Sequence, residues 1–133
     1  MLFGEDHVKR YVETDGQEGH EWQGTTTLIL TTKGRHSGEP RSTPLIYQRH
    51  GDDFLVVASK GGADQPPAWY LNLVAEPEVE VQLLGDRFKA RARTASTTEK
   101  PELWEIMLGA WPAYAGYQEK TSREIPVVVL ERI

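Results

Sequence analysis

Two alternating stretches separated by a turn signal limit most strongly what this chain can fold into. In residues 78–83, valine and leucine alternate with glutamate and glutamine, and in residues 87–93 phenylalanine and alanine alternate with arginine and lysine. Gly85 and Asp86 lie between the two stretches. A period of two is typical of half-buried strands. The pattern predicts an antiparallel hairpin in which acidic side chains of the first strand face basic side chains of the second.

Further apolar and β-branched runs predict strands at residues 25–32, 42–49, 54–59 and 125–131, the second and third paired as a hairpin. Helical spacing predicts helices at residues 6–14, 66–75 and 99–109. Pro44 denies its strand one backbone donor, so that strand should lie at an edge or a bulge. Six mostly antiparallel strands with a few flanking helices favour a mainly β (α+β) fold closed into a small barrel, because closure removes exposed edges.

The length and composition bound the class of protein. A chain of 133 residues fits one domain, with residues 1–24 as an N-terminal helix and loop and residues 25–133 as the barrel. The net charge of -5 argues against nucleic acid as a partner. The absence of cysteine excludes thiolate chemistry and fits a cytoplasmic protein. No apolar run approaches the roughly 20 residues that span a bilayer, and the scattered histidines predict no metal site.

The turn at residues 31–41 combines cations, hydroxyls and glycines between two strands. Lys33, Arg35 and Arg41 stand out against the acidic background, and Ser37 and Gly38 lie between them. Backbone N–H groups of such a turn can hold an anion, and arginine binds phosphate or carboxylate in bidentate fashion. We therefore expect an anionic ligand group here, the alternative being an ordinary solvated turn.

Three other segments carry unusual chemistry. Ser59–Ala63 places a lysine and two glycines at a strand end, and Trp69 opens the helix that follows. Trp22, in a polar loop, is either a lid over the core or a wall of a ligand site. The aromatic segment 111–117 is broken by proline and glycine. Because no Gly-x-Ser-x-Gly elbow and no Walker loop occur, the pattern favours a planar anionic cofactor that performs the chemistry.

Several ordered motifs resemble one known family. They are the run LILTTKGRHSGEPR from Leu28 to Arg41, then Pro44-Leu45, Val57–Ala63, and Pro67-x-Trp69-Tyr70-x-Asn72-Leu73. At these separations the chain closely resembles the deazaflavin-dependent nitroreductases of actinobacteria. The resemblance continues through residues 78–81 to residues 125–128 and covers nearly everything from Leu28 to the end.

The resemblance implies a split β-barrel that binds a reduced 8-hydroxy-5-deazaflavin coenzyme with a phosphate and an oligoglutamate tail. It assigns the anionic part to Lys33, Arg35, Ser37, Gly38 and Arg41. It assigns the deazaflavin ring to Pro44, Leu45, Ser59, Lys60, Gly61, Ala63, Trp69 and Asn72. The substrate pocket is expected at Trp22, Trp111, Tyr114 and Tyr117.

The expected activity is hydride transfer from the reduced coenzyme to an electron-poor small molecule, namely a quinone, an activated alkene or a nitro compound. The product proton would come from Tyr114, Tyr117 or solvent. Two alternatives stay open: an FMN-binding oxidoreductase on the same barrel, and a module that binds the coenzyme without turnover. A peripheral membrane contact that gives access to quinones is a further expectation, and both a monomer and a homodimer fit the sequence.

Overall fold

The computed structural model describes residues 2–133 and contains a barrel of antiparallel strands with helices at its end and on its outer surface. The helices of the described residues are α1 (Gly4–Thr14), α2 (Ala68–Ala75), α3 (Lys100–Ala110) and α4 (Tyr114–Glu119). The strands are β1 (Glu21–Trp22), β2 (Thr25–Lys33), β3 (Pro40–Ile46), β4 (Gln48–His50), β5 (Asp53–Val57), β6 (Glu78–Leu83), β7 (Asp86–Thr94) and β8 (Val127–Arg132). No helix in residues 2–133 is both long and apolar enough to cross a bilayer.

The barrel closes because β3 and β4 are two halves of one bent strand. Strands follow the order β1-β2-β6-β7-β8-β5-β4, and β3 pairs with the free side of β2. The bend falls at Tyr47, so the first half of this strand pairs with β2 and the second half pairs with β5. The predicted barrel of about six mostly antiparallel strands is confirmed, and its strand order explains how a sheet with so few strands avoids open edges.

The predicted hairpin of residues 42–49 with 54–59 is only partly right. Only Gln48–His50 pair with β5, whereas Pro40–Ile46 pair with β2 from Lys33 back to Thr27. Pro44 therefore lies in a strand with a ladder on one side, where a missing N–H is tolerated. Beyond the bend β3 diverges from β5, and this gap is the split in the barrel.

Alternate residues of the buried strands face two different cores. Phe54 and Val56 point into the barrel with Val128 and Leu130, where Leu73 of α2 closes one end. The outward-facing residues of β5 and β8 pack beneath α3 and α4. Burial on both faces is why these strands are continuous apolar runs, in contrast to β6 and β7. The latter form the predicted antiparallel hairpin, with acidic residues opposite basic ones: Glu78 lies opposite Arg91 and Glu80 opposite Lys89.

The N-terminal segment packs on the barrel through buried polar contacts. The Tyr11 hydroxyl donates to the carbonyl oxygen of Thr27 over 3.0 Å and accepts the N–H of Leu84 over 2.9 Å. The helix begins at Gly4, two residues before the predicted start. The predicted loop before β2 contains β1, which pairs with Thr25 and Thr26. The division at residues 24 and 25 stays a prediction, and its residue 1 lies outside the described residues.

Candidate functional site

A cleft of about 480 Å³ opens where β3 diverges from β5. The floor comes from three consecutive residues of β3, Pro44, Leu45 and Ile46, together with Val57 of β5. In a flat strand, neighbouring residues point to opposite faces. All three of these residues can line one cleft because the strand is bent. Most of the residues that the sequence assigns to the ring line this cleft: Pro44, Leu45, Ser59, Lys60, Gly61 and Trp69.

A left-handed turn brings the second loop to the rim of the cleft. Lys60, Gly61 and Gly62 all have positive φ, at 47°, 63° and 86°. A Cβ atom at residue 62 would lie 2.6 Å from the carbonyl oxygen of Tyr117 and 2.9 Å from its Cα, whereas a Cβ at residue 61 would meet no atom within 4 Å. Gly62 is therefore required by the close approach of α4, and Gly61 only by its φ angle.

The opposite wall of the cleft is a chain of aromatic rings drawn from both ends of the sequence. The rings of Trp22 and Trp111 lie 5.8 Å apart. The indole N–H of Trp111 donates to the hydroxyl of Tyr117 over 3.3 Å, and the ring of Tyr117 lies 6.1 Å from that of Tyr114. The structure thus brings all four predicted substrate-pocket residues together on one wall.

Tyr114 is the more deeply placed of the two candidate proton donors. Its side chain is 5% exposed and lines the cleft. Burial, with a smaller contribution from Tyr117, raises the pKa of Tyr114 well above its ordinary value of 10.0. A tyrosine hydroxyl is protonated at neutral pH already at its ordinary pKa, and this burial keeps the Tyr114 hydroxyl so; it can donate a hydrogen bond into the cleft.

A second, cationic cleft of about 380 Å³ continues from the first, because both are lined by Thr43 and Trp69. It contains three of the predicted anion-binding residues, Arg35, Ser37 and Arg41. The other two, Lys33 and Gly38, line a separate depression with Lys89, Glu78 and Glu80. The loop therefore has two sides, and the structure does not bring all five residues into one cleft.

The cations of this loop have no salt-bridge partner in the part of the chain that the structure describes. Among residues 2–133, the salt bridges include none of Lys33, Arg35 and Arg41. An exposed cation without a carboxylate partner in a chain of net charge -5 leaves a local positive field that favours an anion.

Asn72 supports this loop from behind. It is 4% exposed. The Asn72 Oδ1 atom accepts the backbone N–H of Arg35 over 3.2 Å and its Nη1 over 2.9 Å, while Asn72 Nδ2 donates to Thr32 Oγ1 over 3.2 Å. Ala63 also does not line the ring cleft, and its carbonyl oxygen accepts a bond from Arg123. Ala63 thus supports the second loop, whereas Asn72 supports the first loop and also lines the cationic cleft.

Sequence reasoning missed the part of the cleft that comes from α1. Phe3, Gly4 and His7 line it beside Trp22. The ring of Phe3 packs edge-on against Trp22 at 5.7 Å, and His7 donates from Nε2 to the carbonyl oxygen of Gly19 over 2.8 Å. No local pattern in the sequence indicates that this helix crosses the mouth of the barrel.

Comparisons with known proteins agree with this geometry. A family model described as F420H(2)-dependent quinone reductase matches residues 4–132. The chain is 42% identical over 130 residues to an F420H(2)-dependent quinone reductase of Mycobacterium tuberculosis, covering 95% of this chain and 87% of the relative. One similar solved structure is an F420-H2 dependent reductase (FDR-A), 38% identical with a TM-score of 0.73 over 79% of this chain and 93% of that one.

Another solved structure, described as a domain-swapped dimer, is 34% identical, with a TM-score of 0.76 over 93% of each chain. The family match spans both clefts, the left-handed turn and the aromatic wall, so the resemblance seen in the sequence motifs is confirmed. On this evidence the chain belongs to the F420H(2)-dependent quinone reductase family.

Proposed function

We propose that this protein is a reductase that binds the reduced deazaflavin coenzyme across the two joined clefts and reduces a quinone. Activated alkenes and nitro compounds are further acceptors of the same electron-poor kind. The observation that carries the proposal is the continuity of the clefts through Thr43 and Trp69. An apolar slot that leads into a cationic site matches a planar ring with an anionic tail.

The donor set of the site fits this coenzyme. The ring would lie on Pro44 and Leu45 beneath the turn at Lys60 and Gly61, and the anionic tail would lie against Arg35, Ser37 and Arg41. Lys33 and Gly38 would contact the tail only beyond the loop, since they face the separate depression. When bound, the reduced coenzyme supplies the hydride.

The residues of the chain position the acceptor and control protons and water. Trp22 and Trp111 narrow the mouth of the cleft, which restricts water and favours flat acceptors. The protonated hydroxyl of Tyr114 is placed to donate a hydrogen bond to an acceptor oxygen. Reduction of a quinone requires a proton as well as a hydride, and the Tyr114 Oη atom is one source of that proton.

Binding of the oxidised coenzyme, followed by its fluorescence, tests the proposal, with FMN titrated in parallel. The double variant Lys33→Ala with Arg41→Ala should raise the dissociation constant of the coenzyme by about tenfold or more, which is a loss of about 1.4 kcal/mol of binding free energy or more. The loss should shrink at high salt, because salt screens the lost attraction. Arg91→Ala, which removes a cation of β7 outside both clefts, is the matched control.

Unchanged affinity in the double variant would show that the loop does not hold the tail. Saturable FMN binding without a deazaflavin signal would replace the cofactor and favour the FMN oxidoreductase. Tight coenzyme binding without turnover on any quinone, enone or nitro acceptor would favour a coenzyme-binding module.

Homodimer formation is part of the proposal. It is supported by the similar structure described as a domain-swapped dimer. Light scattering coupled to size-exclusion chromatography distinguishes a dimer from a monomer through the measured mass.

Peripheral membrane contact is a separate part of the proposal. Phe3 is 59% exposed and lies at the rim of the cleft, where an apolar side chain could meet a lipid surface that contains quinones. Sedimentation with lipid vesicles should retain the protein, and Phe3→Ser should reduce the retained fraction. Equal retention of the two proteins would argue against this contact.

A further inference from the structure

Arg123 is not a cleft-lining residue, yet its guanidinium binds the backbone of the ring-binding loop at three carbonyl oxygens. Its Nε atom donates to Ala63 over 2.8 Å, and Nη2 donates to Ser59 over 2.8 Å. Both Nη atoms also lie 3.3 Å from the carbonyl oxygen of Ala58. The three acceptors flank the left-handed turn on both sides, so one side chain ties the start of the loop to its end.

The turn needs such support because Lys60 has a left-handed conformation that is unfavourable for any residue other than glycine. Three successive residues have positive φ, and one of them, Lys60, is not glycine. Conformations of this kind persist only where surrounding contacts hold them. Arginine suits the task because its planar guanidinium presents five N–H donors in a fixed fork, whereas the ammonium of lysine is a single point.

The backbone of Arg123 is itself held by Gln118 of α4, and the residues between α4 and β8 add a further link to the loop. Gln118 Nε2 donates to the carbonyl oxygen of Arg123 over 2.8 Å, and Gln118 Oε1 accepts the N–H of Ile125 over 2.9 Å. Thr121 Oγ1 donates to Asp64 Oδ1 over 2.8 Å, which makes a second link from this segment to the loop. Arg123 is therefore held through its backbone as well as through its guanidinium.

The helix that holds the backbone of Arg123 is also part of the aromatic wall, because α4 carries Tyr114 and Tyr117. Gly62 packs against the backbone of Tyr117 too closely for any side chain. The turn, Arg123 and α4 thus form one connected unit, with the proposed ring site on one side of the cleft and the proposed acceptor site on the other.

We infer that Arg123 is a positioning residue that fixes the ring-binding turn against α4 and so sets the spacing between coenzyme and acceptor. The inference takes the identity of the ligand from the proposed function. The hydrogen bonds of Arg123 are independent of that proposal. Loss of the clamp should lower the fraction of molecules in which the turn has its binding-competent shape. If that fraction falls to about a tenth, the apparent dissociation constant of the coenzyme rises about tenfold.

Hydrogen exchange of the intact protein without coenzyme tests the clamp directly. In Arg123→Gln, the amides of residues 58–64 should exchange faster, while those of the strands keep their protection. Arg132→Gln is the matched control, since the guanidinium of Arg132 binds the carboxylate of Asp86 instead of backbone. Unchanged exchange at residues 58–64 in Arg123→Gln would overturn the inference.

Coenzyme binding and chemical rescue supply the second readout. Arg123→Ala and Arg123→Lys should both weaken coenzyme binding about tenfold, and added methylguanidinium should restore binding only in Arg123→Ala, where it can occupy the empty site. Full retention of affinity in Arg123→Lys would show that charge alone suffices and would overturn the clamp. If Arg123→Gln loses protection throughout the barrel, hydrogen exchange no longer isolates the turn. The rescue experiment then decides: absence of methylguanidinium rescue in Arg123→Ala would overturn the positioning role.

The two proposals fail in different ways. If the wild-type protein binds no deazaflavin coenzyme, the proposed function is wrong, but the exchange of residues 58–64 still reports on Arg123. If the wild-type protein binds the coenzyme and the Arg123 variants match it in affinity and exchange, only the positioning role is wrong.

Discussion

Alanine at position 62 should destabilise the protein far more than alanine at position 61, although both replace a glycine of the same turn. Each substitution places a Cβ on a residue with positive φ, which costs about 1–2 kcal/mol. At position 61 the added atom meets nothing within 4 Å, so this is the whole expected cost. At position 62 it lies 2.6–3.1 Å from three backbone atoms of Tyr117.

Backbone cannot rotate away as a flexible side chain can, so Gly62→Ala must move α4 or the turn. Overpacking of this kind adds about 1–3 kcal/mol, for a total loss of about 2–5 kcal/mol. For a chain of this size, 1 kcal/mol corresponds to a shift in Tm of about 4 °C. We expect a fall of about 4–8 °C for Gly61→Ala and of about 8–20 °C for Gly62→Ala.

Urea unfolding followed by tryptophan fluorescence and circular dichroism, fitted to a two-state transition, measures both free energies of unfolding. The Gly61→Ala variant is the internal control, because it measures the cost of a Cβ at positive φ without the contact to Tyr117. Equal losses in the two variants would refute the argument, because they would mean that the contact between the turn and α4 contributes nothing to stability.

Three further outcomes follow from single contacts. Asn72→Ala removes three hydrogen bonds at a buried site and should lower the free energy of unfolding by about 2–3 kcal/mol. Urea unfolding of Asn72→Ala, Arg35→Ala and the double variant should give losses that do not add, because the two side chains contact each other. Strictly additive losses would contradict that contact. Burial lowers the pKa of His20 in the folded protein below its ordinary 6.5. The imidazole therefore binds a proton more readily in the unfolded chain, and the free energy of unfolding falls as pH decreases from 6.5 through the lowered pKa of His20. His20→Gln, whose amide can still hydrogen-bond to the hydroxyl of Tyr47, should remove that part of the pH dependence. Identical curves of stability against pH for the two proteins would show that His20 is not its source. Tyr114→Phe keeps the ring but loses the hydroxyl, so coenzyme affinity should stay constant while quinone turnover falls about 100-fold or more; unchanged turnover would assign the proton to Tyr117 or solvent.

The sequence alone determined the elements that depend on local pattern. Alternation over residues 78–93 predicted the β6–β7 hairpin and its facing acidic and basic side chains, because a period of two commits one face to the core. Glycines and cations marked both loops as candidate anion sites before any fold was known, because glycine allows a close backbone approach and arginine suits an anion. The proline pair before α2 and Pro77 after it bounded that helix.

Only the tertiary structure decided which residues meet. Trp22 contacts Trp111 across 89 positions of sequence, and Arg123 reaches Ala58 across 65, distances at which no local preference acts. The bend at Tyr47, which opens the cleft, arises because one strand must pair with β2 and β5 at once. Asn72 bonds the loop because the buried Thr32 and the Arg35 N–H require partners there. Contacts of this kind follow from chain closure and from satisfaction of buried polar groups, which are properties of the assembled barrel and not of any one segment.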